Sequence, residues 1–140
     1  MASFVTNEGA HQFSTDLGMH WDDASTVKAL LLKSGTPTKD TQFVNEISAG
    51  ELTGSGYARV TVGSRSITKD TANDWILLDC ADIAFAAIAS GETVTWCVIF
   101  YDTGSDATSP VLICIDPTDT ATNGGTVTIT TASGVARLAT

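Results

Sequence analysis

A chain of 140 residues, 43% of them hydrophobic, is long enough for one domain with a sizeable core. Its formal charge of −9, from sixteen acidic and seven basic residues, argues against a nucleic-acid partner, because phosphate binding needs a surplus of cations. No apolar run approaches the ~20 residues of a membrane helix, and the first residues show no secretory signal. We therefore expect a protein that is made in the cytoplasm and does not enter a membrane.

A short helix is predicted near the start of the chain. Asn7 is placed to cap it and Gly18 to end it, and apolar residues follow at near-helical spacing at Ala10, Phe13 and Leu17. A helix of about ten residues is too short to be stable alone. Phe13 and Leu17 should therefore dock on a sheet.

The rest of the chain consists of short segments rich in β-branched and aromatic residues, separated by turn residues, which is typical of strands. The predicted strands are Thr26–Lys33, Tyr57–Val62, Ile67–Thr68, Trp75–Leu78, Ile83–Phe85, Val94–Tyr101, Val111–Asp116, Thr126–Thr131 and Val135–Leu138. Tyr57–Val62 and Thr126–Thr131 alternate, so one side of each should be buried. Phe43–Ile47 fits either a short strand or a single helical turn.

Val94–Tyr101 and Val111–Asp116 are nearly continuous in apolar residues and flank a polar turn, which predicts a long hairpin at the centre of a sheet. Both faces of these strands should be covered by protein. The expected fold class is all-β, an antiparallel β-sandwich of about eight or nine strands with one short N-terminal helix. We expect a single domain, in which residues 1–20 form an arm and the helix and residues 21–140 form the sandwich.

The three cysteines, Cys80, Cys97 and Cys114, are odd in number, form no CxxC pair and lie within or beside apolar strands. This pattern favours buried, reduced thiols over a disulfide or a metal site.

Histidine and acidic residues offer few candidates for chemistry. His20 with Asp22 or Asp23 lacks a third ligand at a recognisable spacing. Four acids in and after the hairpin loop could gather around calcium but do not follow EF-hand spacing: Asp102, Asp106, Asp116 and Asp119. No Gly-x-Ser-x-Gly elbow or recognisable triad is present. We expect no enzyme, no metal and no cofactor.

The tryptophans leave sugar binding open. We expect Trp96 in the core because it lies in the most apolar strand. If Trp21 or Trp75 were exposed on a flat face, a carbohydrate-binding module would gain support. Otherwise these two residues cap the ends of the core.

A series of short segments runs through most of the chain in a fixed order and spacing: His20–Asp22, Thr26–Leu31, Asn45–Ile47, Gly56–Val60, Val98–Gly104, Val111–Asp116, Asn123–Gly125 and Gly134–Leu138. In this order and spacing the chain resembles a widespread family of small tailed-bacteriophage virion proteins, described as structural or head proteins. The resemblance implies a place on the virion, as a capsid decoration (cement) protein outside the shell, with the neck or a tail appendage as the alternative.

The implied partner is the major capsid protein, and self-association from monomer to trimer stays open. We expect the contacts in the N-terminal segment Ala2–Asn7 and in the polar loops Ser34–Asp40 and Asp102–Ser109, since termini and loop tips can order on a partner. The candidate contact residues are Phe4 and Val5 as apolar anchors, with Thr36, Thr38, Lys39, Asp102, Ser105 and Asp106. The alternative function is a carbohydrate- or host-surface-binding module on a tail appendage.

Overall fold

A computed structural model describes residues 2–15, 21, 26–131 and 134–139. The described residues contain one α-helix, two short 3-10 turns and twelve strands, and every strand pair is antiparallel. The helix is α1 Asn7–Thr15, and the 3-10 turns are Val44–Glu46 and Ser48–Gly50. The strands are β1 Ala2–Val5, β2 Val27–Leu32, β3 Val60–Thr61, β4 Ser66–Asp70, β5 Trp75–Asp79, β6 Ile83–Phe85, β7 Thr93–Val94, β8 Trp96–Tyr101, β9 Val111–Asp116, β10 Thr120–Ala121, β11 Val127–Ile129 and β12 Ala136–Ala139.

The all-β prediction with one short N-terminal helix is confirmed, and the strands outnumber the expected eight or nine for three local reasons. The predicted strand Val94–Tyr101 is divided at Thr95, because β7 pairs with β10 in a separate ladder whereas β8 pairs with β2 and β9. A two-residue strand, β10, forms in the polar connection after β9. The third addition is β1.

The predicted hairpin of β8 and β9 lies at the centre of a five-stranded sheet with the order β1-β9-β8-β2-β3. Residues 97–100 and 111–115 are all buried, as the continuous apolar runs predicted. Both faces of the sheet are therefore covered, and each face has its own hydrophobic cluster.

The inner face packs against a second layer of three short ladders, β12-β5-β4, β11-β6 and β10-β7. The main core lies between the layers, where Ala29, Ile99 and Ile113 of the central sheet share one cluster with Leu78 and Phe85 of the ladders. Two layers of antiparallel strands around one core make the fold a β-sandwich.

The outer face carries a smaller cluster, which includes Leu30, Val98, Phe100 and Cys114. Val44 from the first 3-10 turn belongs to this cluster and helps to cover the outer face. Of the two alternatives for Phe43–Ile47, a strand or a helical turn, the structure shows the helical turn. The Glu46 carboxylate stabilises this turn by accepting hydrogen bonds from the N–H groups that precede it, those of residues 42 and 43.

The N-terminal segment differs from the expected arm, because Ala2–Val5 pair with Ile113–Asp116 as an edge strand of the central sheet. Thr6, and not Asn7, caps α1: its hydroxyl accepts the Gly9 N–H at 2.8 Å and donates to the carbonyl of Val111. The register with β9 places Thr6 at this position. Leu17 and Gly18, predicted to dock and to end the helix, lie outside the described residues.

Helix α1 rests directly on β9 through its backbone. Gly9 is buried, and a Cβ atom at this position would overlap the backbone of Leu112. Phe13 packs against the main core and meets Trp21 edge to face, with ring centroids 6.3 Å apart. The prediction that Phe13 docks the helix on the sheet is confirmed.

Trp21 lies in the main core, 1% exposed. Its indole N–H is shared between the carbonyl of Ser66, at 2.9 Å, and that of Asp79, at 3.0 Å. Trp21 therefore fixes the ends of β4 and β5 to the core.

The three cysteines are free and buried, as predicted. Cys80 and Cys97 belong to the main core, and Cys114 belongs to the outer cluster. Burial raises the pKa of Cys80 to about 11, that of Cys114 to about 12 and that of Cys97 further still. These thiols are protonated at neutral pH and pack as small hydrophobic side chains.

Candidate interaction surface

The segments predicted to contact a partner lie side by side in the structure. At the start of α1, the Asn7 N–H donates to the Lys39 carbonyl at 2.7 Å, and the Asn7 side-chain amide donates to the Asp40 carboxylate at 2.8 Å. These bonds join the N-terminal segment to the loop Ser34–Asp40.

The hairpin loop Asp102–Ser109 joins the same region through the first 3-10 turn. The Asn45 N–H donates to the Asp106 carbonyl, and the Val44 N–H donates to the Ser109 carbonyl, each at 3.1 Å. We call the resulting continuous area the loop surface, and it consists of Asn7, Ser34–Asp40, Gln42–Glu46 and Asp102–Ser109.

The predicted residues of the loop Ser34–Asp40 are at its exterior. Thr36, Thr38 and Lys39 are exposed, whereas Pro37 between them is buried. The Thr38 hydroxyl accepts the Asp40 N–H at 3.2 Å, and the Thr38 N–H donates to the hydroxyl of Thr41 at 3.0 Å. Short-range bonds thus hold the loop, and Thr36, Thr38 and Lys39 face outward.

Phe4 and Val5, the predicted apolar anchors, point to opposite faces of the central sheet. Val5 packs against the main core, and Phe4 packs on the outer cluster. Phe4 meets Trp96 edge to face at 6.0 Å, and Ile47 lies at the same cluster. We call Phe4, Ile47 and Trp96, which are all half-buried, the aromatic patch. Trp96, expected in the core, packs against the outer cluster but is only half-buried.

The acids of the hairpin loop are paired with cations. Asp102 lies 2.6 Å from Lys28 Nζ and also accepts the Gly104 N–H, and the pKa of Asp102 is lowered, first by the Lys28 hydrogen bond. Asp106 lies 2.7 Å and 2.9 Å from the two terminal nitrogens of Arg59, whose hydrogen bonds lower the pKa of Asp106. Both carboxylates already have partners within the chain.

The Ser105 carbonyl closes the tip of the same loop. It accepts the Thr108 N–H at 3.1 Å and the Ser109 hydroxyl at 2.8 Å. Ser105 itself is exposed. These bonds and the two ion pairs connect the tip of the hairpin loop to itself and its acids to Lys28 and Arg59.

Arg59 links the hairpin loop to the rest of the chain. Its guanidinium binds Glu51 with two hydrogen bonds of 2.8 and 2.7 Å while binding Asp106 with two others, and it lies 5.3 Å from the centre of the Phe100 ring. The two carboxylates raise the pKa of Arg59 above its usual range. Tyr57 completes the network: its hydroxyl donates to Glu51 at 2.7 Å, and burial raises its pKa.

The sequence did not reveal this network, because Glu51 and Asp106 are eight and 47 residues from Arg59. The predicted strand Tyr57–Val62 is reduced to β3 at Val60–Thr61, because Leu31 of β2 is bonded elsewhere: its N–H donates to the Tyr57 hydroxyl and its carbonyl accepts the Leu52 N–H. The sequence offered one signal of this network: the single cation Arg59, which lies between Ala58 and Val60 in an alternating segment.

The described residues contain neither a candidate metal site nor a candidate membrane-spanning helix. Among them, no group of three or more His, Cys, Asp or Glu side chains could hold a metal ion, and the candidate His20 with Asp22 or Asp23 lies outside them. In the described part of the chain, no helix is long and apolar enough to span a membrane.

Trp21 and Trp75, the two candidates for an exposed sugar platform, are not open to solvent as flat faces. Trp21 is buried, and the Arg137 guanidinium covers Trp75 at 4.3 Å from the ring centre. The Trp75 indole N–H donates to Asp70 at 3.1 Å. Both residues close ends of the β4–β5 region.

A groove of about 580 Å³ lies beside β11. It is lined mainly by threonines, together with a few neutral residues: Ser3, Pro117, Thr118, Thr120, Thr126, Val127, Thr128, Ile129, Thr130, Thr131 and Gly134. No described lining residue is charged. The groove therefore offers hydroxyl groups but no acid–base pair.

Comparisons with known proteins add no relative to this description. The chain matches no family model, no curated protein and no solved structure.

Proposed function

We propose that this protein is a bacteriophage virion structural protein, a capsid decoration (cement) protein that binds the assembled head. Two things support the proposal: the order of segments that resembles small virion proteins, and the loop surface. The observation that carries it is the pair of backbone contacts, Asn7 to Lys39 and Asn45 to Asp106, which unite the three predicted contact segments. The major capsid protein is the proposed partner.

The proposed action is mechanical. A decoration subunit that spans neighbouring capsid proteins stabilises the shell by burying surface across their junction. Many copies make weak individual contacts strong in sum, because each subunit bridges partners that the lattice already holds close together.

The internal bonding of the loop surface suits this role. Arg59, Lys28 and the Ser105 carbonyl hold the hairpin loop before any partner arrives. A prepared surface loses less conformational entropy on binding than a flexible one. The aromatic patch next to it supplies apolar area, with Phe4 and Trp96 as the proposed anchors.

The first experiment is the copy number of the protein in purified particles, measured by quantitative mass spectrometry. A decoration role predicts hundreds of copies on the head. A handful of copies at the neck or tail would contradict it and would favour the alternative position on the virion.

The second experiment measures binding of the purified protein to isolated shells by co-sedimentation. Phe4→Asp puts a charge into the aromatic patch and should weaken binding at least about tenfold, because a desolvated carboxylate without a partner is costly. The control is Thr128→Asp, an exposed residue of β11 outside the loop surface and the aromatic patch. Equal loss of binding in both variants would contradict the proposed surface.

A glycan array separates the other alternative, a carbohydrate- or host-surface-binding module. Such a module predicts glycan affinity and no binding to shells. Because Trp21 is buried and Trp75 is covered by Arg137, neither supplies the flat aromatic face that this alternative needs.

A further inference from the structure

Strand β4 is the edge strand of the ladder β12-β5-β4. It pairs with β5 on one side, and among the described residues no strand pairs with its other side. Residues 66–69 are exposed and Asp70 is half-buried. Ile67, 52% exposed, is the one large apolar side chain that stands out to solvent in the described part of the chain.

The usual devices that disable a free edge are few in β4. Its five residues pair with β5 without a bulge, and the strand contains no proline. Of its two charged residues, Lys69 is exposed, whereas Asp70 is engaged by residues 72, 73 and 75. A straight, regular edge of this kind is a template for another strand.

Both ends of β4 are also fixed. Trp21 binds the Ser66 carbonyl at one end. At the other end, the Asp70 carboxylate accepts the N–H groups of Ala72 and Asn73, the Asn73 amide and the Trp75 indole. The edge is therefore prepared for pairing, and little conformational entropy is left to lose.

We infer that β4 pairs antiparallel with β4 of a second copy of this chain, with the two-fold axis at Thr68. In this register Ile67 lies opposite Lys69 of the second copy, and Ser66 lies opposite Asp70. The two β12-β5-β4 ladders then form one six-stranded sheet across the axis.

The sequence of β4 is compatible with itself in this register. No like charges lie directly opposite each other, and the aliphatic stem of Lys69 can cover Ile67. A symmetric interface requires such self-complementarity, which is the reason for choosing a second copy over an unrelated strand.

Two features limit the affinity. The two Lys69 side chains are diagonal neighbours across the axis, and each chain carries a net charge of −9. Association should therefore be weak and should strengthen as salt screens the repulsion. This inference concerns self-association and does not depend on the proposed capsid role.

The first test is sedimentation velocity of the full chain from about 10 μM to about 1 mM, at low and at high salt. We expect a monomer–dimer equilibrium with more dimer at high salt. Ile67→Lys should weaken dimerisation at least about tenfold, because it puts two further cations at the axis. The matched control, Thr128→Lys, adds the same charge to the exposed face of β11 and should leave the equilibrium unchanged.

The second test reads the register by oxidation. Across the axis, the Cα atoms of two copies of residue 68 would be about 4.5–5.5 Å apart, within disulfide reach, so Thr68→Cys should give a cross-linked dimer. Residue 66 would lie about 14 Å from its counterpart, so Ser66→Cys should not cross-link. The three native cysteines are buried, so oxidation of the wild-type chain gives the background level of cross-linking.

A single monomeric species at every concentration would overturn the inference. So would a dimer that Ile67→Lys leaves intact, or equal cross-linking of Thr68→Cys and Ser66→Cys.

Discussion

Replacing Arg59 with lysine tests whether the loop surface is held by paired geometry or only by charge. Arginine makes four hydrogen bonds to two carboxylates here, in two bidentate pairs. Lysine keeps the positive charge but has one nitrogen, so it cannot bind Glu51 and Asp106 bidentately at the same time. Arg59→Lys therefore keeps the positive charge and removes the bidentate hydrogen bonds.

The expected cost follows from the bonds that are lost. A hydrogen bond to a charged group contributes roughly 1.5–3 kcal/mol, and two of the four are lost in the variant. The side chains are partly exposed, at 28% for Arg59, 15% for Glu51 and 37% for Asp106, so solvent offsets part of this. We expect the free energy of unfolding to fall by about 2 kcal/mol.

The assay is urea unfolding at pH 7, followed by tryptophan fluorescence. The midpoint should fall at unchanged m value, since the surface exposed on unfolding is the same. The control is Lys28→Ala, which removes a single ion pair between side chains that are 36% and 25% exposed. It should lower the free energy of unfolding by at most about 0.5 kcal/mol. If Arg59→Lys stayed within the same 0.5 kcal/mol, the network would not hold the fold as argued.

Three further predictions concern other parts of the chain. Glu92 accepts hydrogen bonds from Lys33, Thr53 and Gly54, and the Lys33 bond is the main reason that its pKa falls to about 2. The ionised Glu92 therefore stabilises the fold fully above about pH 4.5, and this contribution is lost as the pH falls toward 2. At pH 7 the Glu92→Gln variant should unfold at a lower urea concentration than the wild type. Near pH 2 the two urea midpoints should converge. Gly9→Ala should destabilise the protein by about 2 kcal/mol or more in thermal unfolding, because the added Cβ would overlap the Leu112 carbonyl. Alanine ordinarily favours a helix over glycine by about 1 kcal/mol. Equal stability of the variant and the wild type would therefore refute the close approach of α1 to β9. Thr6→Val keeps the shape and removes the cap of α1, and circular dichroism during urea unfolding should show a loss of about 1–2 kcal/mol, whereas the same change at exposed Thr128 should have little effect.

The central part of the fold could be predicted because its pattern is local. Two long apolar runs gave the hairpin of β8 and β9, and strict alternation gave the buried side chains Val127 and Ile129 of β11. Ala2–Val5 escaped prediction as a strand because four residues without flanking turn signals carry no period. Their place depends on the exposed edge of β9.

The candidate surface was only partly readable. Exposed loops could be named from polar turn residues, but that three of them meet depends on tertiary bonds such as Asn45 to Asp106. The cap of α1 shows the same limit. Thr6 and Asn7 both carry a suitable oxygen, and pairing with β9 selects Thr6. Whether Thr36, Thr38 or Lys39 touches a partner stays a prediction.

The positions of Cys97 and Cys114 give the protein two built-in reporters. They belong to neighbouring strands of one sheet but face opposite ways, Cys97 into the main core and Cys114 into the outer cluster under Phe4 and Val44. A thiol reagent can reach Cys114 when the outer cover alone opens, whereas Cys97 reacts only after the two layers separate. The difference between their labelling rates therefore measures how far local fluctuation of the cover is independent of global unfolding.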